Sequence, residues 1–336
     1  MRFRKDAKLD PSQVEDHRGQ RTGGGLPGGM GGMVGGGGGL IAIIVLVAFI
    51  FLGGGGGLGD LGSLAGQTVG PTGKPSGELA QECRTGADAN EREDCRIVAV
   101  VNSVQTYWNR ALRGYEPTRT RFFEGGIQTG CGPASSATGP FYCPRDRYIY
   151  IDLGFFDQLQ SQLGARGGPL AEAYILAHEY GHHVQNQTGV LQNADRDTGP
   201  QGGQVRVELQ ADCYAGLWVG RSLDTGFIEE LTRQDVADAF DAAAAVGDDR
   251  IQERTQGRVV PESWTHGSAE QRQSWFVRGI EGSGPQKLRH VQGPRLASPA
   301  RRSTCVAWIR SRSCRSGRSR AAPSVASRRP IPTVWR

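Results

Sequence analysis

Along residues 94–112, "DCRIVAVVNSVQTYWNRAL", apolar side chains fall at Ile97, Val100, Val101, Val104, Trp108 and Leu112. That spacing of threes and fours predicts a helix with one buried face. The rhythm then changes. "TRTRFFEGG" (118–126) and "RYIYIDLGFF" (147–156) read as strands, the second alternating Tyr148, Tyr150 and Asp152 against Ile149, Ile151 and Leu153. "GCGPASSATGPFYCP" between them is rich in turn formers and reads as loop. Gly167-Gly168-Pro169 opens a helix expected from Leu170 to about Gln187 and stopped by Thr188-Gly189. After a polar loop over 190–203, "QVRVELQADCYAGLWVGRSL" (204–223) and "TRQDVADAFDAAAAVGDDRIQ" (232–252) predict two more helices. No internal repeat occurs, and the elements sum to an α+β fold.

Nearer the N-terminus the pattern is of another kind. "LIAIIVLVAFIFL" (40–52) is apolar throughout, lies between glycine runs, and sits in a stretch without charge from Arg21 to Asp60. Its apolar core is short against the ~20 residues that cross a bilayer, but the uncharged flanks extend it, so 33–54 is expected to be a single transmembrane helix. Arg2, Arg4, Lys5, Lys8, Arg18 and Arg21 precede it and predict a cytoplasmic N-terminus. The expected organisation is a cytoplasmic tail (1–32), the anchor (33–54), a flexible glycine-rich linker (55–80), an extracytoplasmic domain (81–281) and a tail (282–336).

Export would let disulfides persist. Cys83 and Cys95 are twelve apart, as are Cys131 and Cys143, so two short-loop bridges are one of three possible pairings. Cys213 is left over as a packed helix cysteine.

The formal charge of +5 conceals a split. No acid follows Glu281, whereas Lys287 and twelve arginines do, which leaves 26 basic against 34 acidic residues in 1–281, a net of −8. The domain is therefore acidic, and no nucleic-acid partner is expected of it. The tail is expected to be disordered, either a basic arm or the product of a shifted reading frame.

Chemistry concentrates in "AHEYGHHVQ" (177–185). His178 and His182 are one helical turn apart, so both imidazoles can reach one metal ion, while Glu179 is rotated away and can hold the water at that metal. A catalytic zinc needs a third protein ligand. The pattern with a third histidine is excluded because position 188 is threonine. Glu208, in "VELQAD", supplies the alternative from the following helix, with Asp212 one turn on to fix a histidine tautomer through the second ring nitrogen. Their apolar surroundings argue for burial and hence for pairing. His183 points elsewhere and is read as a non-ligand. His266 is a candidate donor to a developing oxyanion, against the alternative of an ordinary surface histidine. The strand "RYIYIDL" could offer an edge to an extended peptide.

"ECRTGADANEREDCRIV", "GPFYCPRDRYIYIDLGFF", "AHEYGHHVQ", "ELQADCYAG" and "THGSAEQRQ-W" together resemble the bacterial putative neutral zinc metallopeptidase family over roughly Lys74 to Gly279. The resemblance implies a membrane-anchored protein with a zincin-like, gluzincin-like domain, Zn2+ on His178 and His182, and Glu179 as the base. Glu208 as third ligand follows from spacing and agrees with the family pattern. The expected activity is endopeptidase cleavage of a peptide or protein substrate. The alternatives are a non-catalytic zinc-containing binding or scaffold domain at the cell envelope, and a nucleic-acid binder resting on the basic tail alone.

Overall fold

The computed structural model describes residues 1–19 and 77–282. In chain order the elements are β1 (Arg2–Phe3), β2 (Val14–Asp16), α1 (Gly77–Glu82), α2 (Gly86–Glu91), α3 (Glu93–Ala111), β3 (Thr120–Phe122), β4 (Gly126–Thr129), β5 (Gly132–Ser135), β6 (Phe141–Cys143), β7 (Tyr148–Ile151), α4 (Gly154–Ser161), α5 (Pro169–Gln187), α6 (Val190–Asn193), α7 (Gly203–Val219), β8 (Ile228–Glu230), α8 (Arg233–Ala245), α9 (Asp248–Gln256) and α10 (Ala269–Gly282). Among the described residues the architecture is mixed α+β: ten helices around small sheets.

Helix α5 runs through the centre. Pro169 occupies its first turn after Gly168 at φ 107°, and it ends before Gly189 at φ 78°, where the left-handed backbone suits glycine. Every residue from Leu170 to Gln185 is buried. A helix buried on all sides needs close neighbours, and Gly181 provides one: a Cβ there would lie 3.0 Å from the Cα of Ala211 on α7.

The main sheet has the order β2-β3-β7-β6, parallel across β2-β3-β7 and antiparallel at β6. Both of its faces are covered. Ile149 and Ile151 join the main core, whereas Tyr150 packs with Phe123, Ala134, Phe141 and Cys143 in a second cluster on the other face. Strand β7 lies between β3 and β6, so the peptide-binding edge expected of "RYIYIDL" is corrected: β6 covers it and forms the sheet margin. The stretch read as loop holds β5 and β6, strands of four and three residues tied by the Cys131–Cys143 disulfide, and β4 just before it pairs with β5 as a hairpin. Cys83–Cys95 is another bridge among the described residues, and Cys213, expected to be a lone packed cysteine, is disulfide-bonded as well. The helix expected over 232–252 is two, α8 and α9. They part at Gly247, where a Cβ would lie 2.4 Å from the backbone nitrogen of Ala269.

The expected separate N-terminal tail is also corrected. Phe3 and Val14 are buried in the main core. Strand β1 pairs antiparallel with β8, and β2 parallel with β3. Asn90 exchanges hydrogen bonds with the backbone of Phe3 at 2.9 and 3.0 Å, and Asn102 does the same for Asp10 at 2.8 and 3.0 Å. The terminal ammonium of Met1 pairs with Asp235. The first 19 residues are thus structural parts of the domain, which resumes at Gly77, inside the expected linker. The expected anchor (33–54), the rest of the tail and linker, and residues 283–336 lie outside the described residues. Among the described residues no helix is long and apolar enough to cross a membrane.

Candidate metal centre

Close packing of α5 on α7 brings together residues that are thirty positions apart. His178 Nε2 lies 3.0 Å from Glu208 Oε2, and His182 Nε2 lies 3.5 Å from Glu208 Oε1. The second nitrogen of each ring is held from behind: Nδ1 of His178 by Asp212 Oδ1 at 2.8 Å, and Nδ1 of His182 by Gln185 Oε1 at 2.8 Å. Each imidazole therefore donates through Nδ1 and turns Nε2 to a common point. Two imidazole nitrogens and a carboxylate oxygen facing one another, each imidazole with an outer hydrogen-bond partner, are a donor set that suits zinc. Ligand atoms of His178, Glu179 and His182 lie within 4.8 Å of one another.

Burial controls the charges here. It pushes the Glu208 carboxyl up, but the charge of His182 and the hydrogen bonds from both histidines outweigh it and hold this group well below the usual carboxylate range. Burial opposes a charge on His178 too, and Asp212 and Glu208 overcome that to bring it up to about 9. A divalent ion bound here would displace a proton from His178. Glu179 goes the other way. Burial raises its carboxyl above the ordinary value against the opposing pull of His182 and His178, with the backbone N–H of Tyr142 on β6 also lowering it.

Gln185 and Asp248 are among the site partners that were not foreseen. Gln185 was within reach of sequence reasoning, because it lies three residues after His182 on the same helix. Asp248 was not. It opens α9, and its Oδ2 accepts backbone N–H groups of Thr265, His266 and Gly267 at 2.8, 2.7 and 2.9 Å. The same carboxylate meets His266 Nδ1 at 3.3 Å through Oδ1. This lock turns His266 into a cleft, partly open to solvent, that Glu208, Val207, Leu191 and Arg196 also line. Burial lowers the His266 pKa, and Asp248 more than offsets that. His183 faces away, to the Tyr142 hydroxyl at 3.1 Å and the Glu116 carbonyl at 2.8 Å, and so joins α5 to β6.

Comparison with known proteins agrees with this chemistry. The chain is 53% identical over 219 residues to uncharacterized protein Rv2575 of Mycobacterium tuberculosis (strain ATCC 25618 / H37Rv), spanning 63% of this chain and 74% of that one. It is 36% identical over 301 residues to uncharacterized protein YpfJ of Escherichia coli (strain K12), spanning 84% of this chain and 96% of that one. No solved structure gives a significant match. A family model described as putative neutral zinc metallopeptidase matches residues 1–289, which takes in both the N-terminal strands and the histidine pair, and the chain belongs to that family.

Proposed function

We propose that the protein is a zinc-dependent endopeptidase in which His178, His182 and Glu208 hold the metal. The observation that carries this reading is the convergence of His178 Nε2 and His182 Nε2 on the Glu208 carboxylate, with Glu179 beside them. Zinc, when bound, supplies a Lewis acid that polarises a peptide carbonyl and lowers the pKa of water toward ~7. The remaining work falls to the chain. Glu179 takes the proton of the attacking water and passes it to the leaving amine, and the raised pKa of its carboxyl brings it nearer to the neutral range where such a shuttle is efficient. His266, aimed by Asp248, donates to the developing oxyanion. The cleft beside Glu208 and His266 receives the peptide. Residues 40–52 supply apolar surface for membrane attachment.

The test compares the full chain with Glu179→Gln on an unfolded protein substrate, both loaded with zinc. The parent is expected to cleave, to stop on addition of a chelator, and to outpace the variant by ~10²–10⁴-fold. Equal zinc in both with cleavage by neither would support a non-catalytic zinc module instead.

A further inference from the structure

Arg272 belongs to the "AEQRQSW" stretch, and the reaction above gives it no task. The residue is buried, at 4% exposure. Nε donates to Asp212 Oδ2 at 2.9 Å and Nη2 donates to Oδ1 at 2.9 Å, a two-point grip on one carboxylate. Nη1 donates to the Val246 carbonyl at 3.1 Å, and Nη2 reaches the Tyr174 hydroxyl at 3.3 Å. Tyr174 in turn donates to Asp212 Oδ1 at 2.6 Å, the same oxygen that holds His178 Nδ1.

The arrangement has a geometric origin in α7 and α10. A Cβ on Gly216 would lie 2.1 Å from the carbonyl oxygen of Phe276, and one on Gly279 would lie 2.1 Å from that of Cys213. The two helices therefore meet backbone to backbone. Asp212 lies one turn from Gly216 on α7, and Arg272 lies two turns from Gly279 on α10, so both project along the same contact. A carboxylate gripped at one oxygen can still swing about its bond, whereas one gripped at both has its plane fixed.

We propose that Arg272 is a positioning residue of the metal centre: by fixing the plane of Asp212 it fixes the tautomer and ring direction of His178. This rests on the reading that His178 presents Nε2 to zinc. The competing role is a staple that merely holds α10 on α7, and zinc affinity separates the two, since a staple shows in unfolding and not in metal binding.

The experiment is chelator competition for zinc on the full chain, with the urea midpoint measured beside it, for the parent, R272K, D212A and R272K with D212A. R272K keeps the buried positive charge that Asp212 needs, so it folds, but it loses the planar two-point grip. The expected result is zinc bound about 10–100-fold more weakly by R272K than by the parent. In the chain that already lacks Asp212, R272K should cause a smaller further loss than in the parent, since Nη2 also lies 3.3 Å from His178 Nδ1. Parent-like zinc affinity in R272K, or a loss that adds in full to that of D212A, would overturn the proposal and leave the metal site standing. A parent chain that binds no zinc would sink the function proposed above as well.

Discussion

Glu15 shows how a single residue couples the N-terminus to the domain. It is 2% exposed and accepts hydrogen bonds from Arg121 Nε at 2.7 Å and Arg119 Nη1 at 2.8 Å. Burial alone would raise its pKa, yet His17, Arg119 and Arg121 outweigh that and bring it from 4.5 to about 2. A carboxyl depressed on folding contributes stability that is full above pH 4.5 and lost as pH falls toward 2. The urea midpoint of the parent should therefore exceed that of Glu15→Gln at pH 6, and the gap should narrow below pH 4.5. A gap that does not change with pH would contradict this role. The site itself was legible at this scale to the extent that it followed helix periodicity. His178, Glu179 and His182 came from one turn, and Glu208 and Asp212 from one turn of the next buried helix. Asp248 and Arg272 were not legible, because each acts on residues brought to it only by the packing of separate elements.

Among elements, the long periodic ones were readable and most of the short ones were not. Helix α3 and helix α5 fall within a residue or two of expectation because each repeats its apolar period over four turns or more and carries its own start or stop signal. Strands of two to four residues give little period to detect: β3 and β7 lie inside the two stretches read as strands, whereas β1, β2, β5 and β6 were not marked. The β4–β5 hairpin and β6 lie in a glycine- and serine-rich stretch whose order comes from pairing with β7 and from a disulfide. The division of α8 from α9 depends on the backbone of Ala269 standing where a side chain at 247 would be, which no local pattern records.

For the whole molecule, the largest departure from expectation is the inclusion of residues 1–19. Their apolar anchors Phe3, Leu9 and Val14 are isolated among charges, and the partner of Arg2 is 228 positions away, so nothing local marks them as core. Strands that share main-chain hydrogen bonds must share a compartment, which bears directly on a chain read as crossing a membrane between them. Lys8 and Thr85 face each other in an antiparallel bridge. Lys8→Cys with Thr85→Cys should form a disulfide in the full chain within isolated membranes, identified by the masses of the linked peptides. Its absence, with both thiols free and the native bridges intact, would mean that the N-terminal segment is not part of the assembled domain there.

In the proposed centre Glu208 is a metal ligand and Glu179, though closer in sequence to both histidines, is not. Zinc retained after dialysis into metal-free buffer, measured on full-length parent, Glu179→Gln and Glu208→Gln, tests it most directly. One zinc per chain is expected for the parent and for Glu179→Gln, and almost none for Glu208→Gln. Zinc kept by Glu208→Gln, or lost by Glu179→Gln, would contradict it.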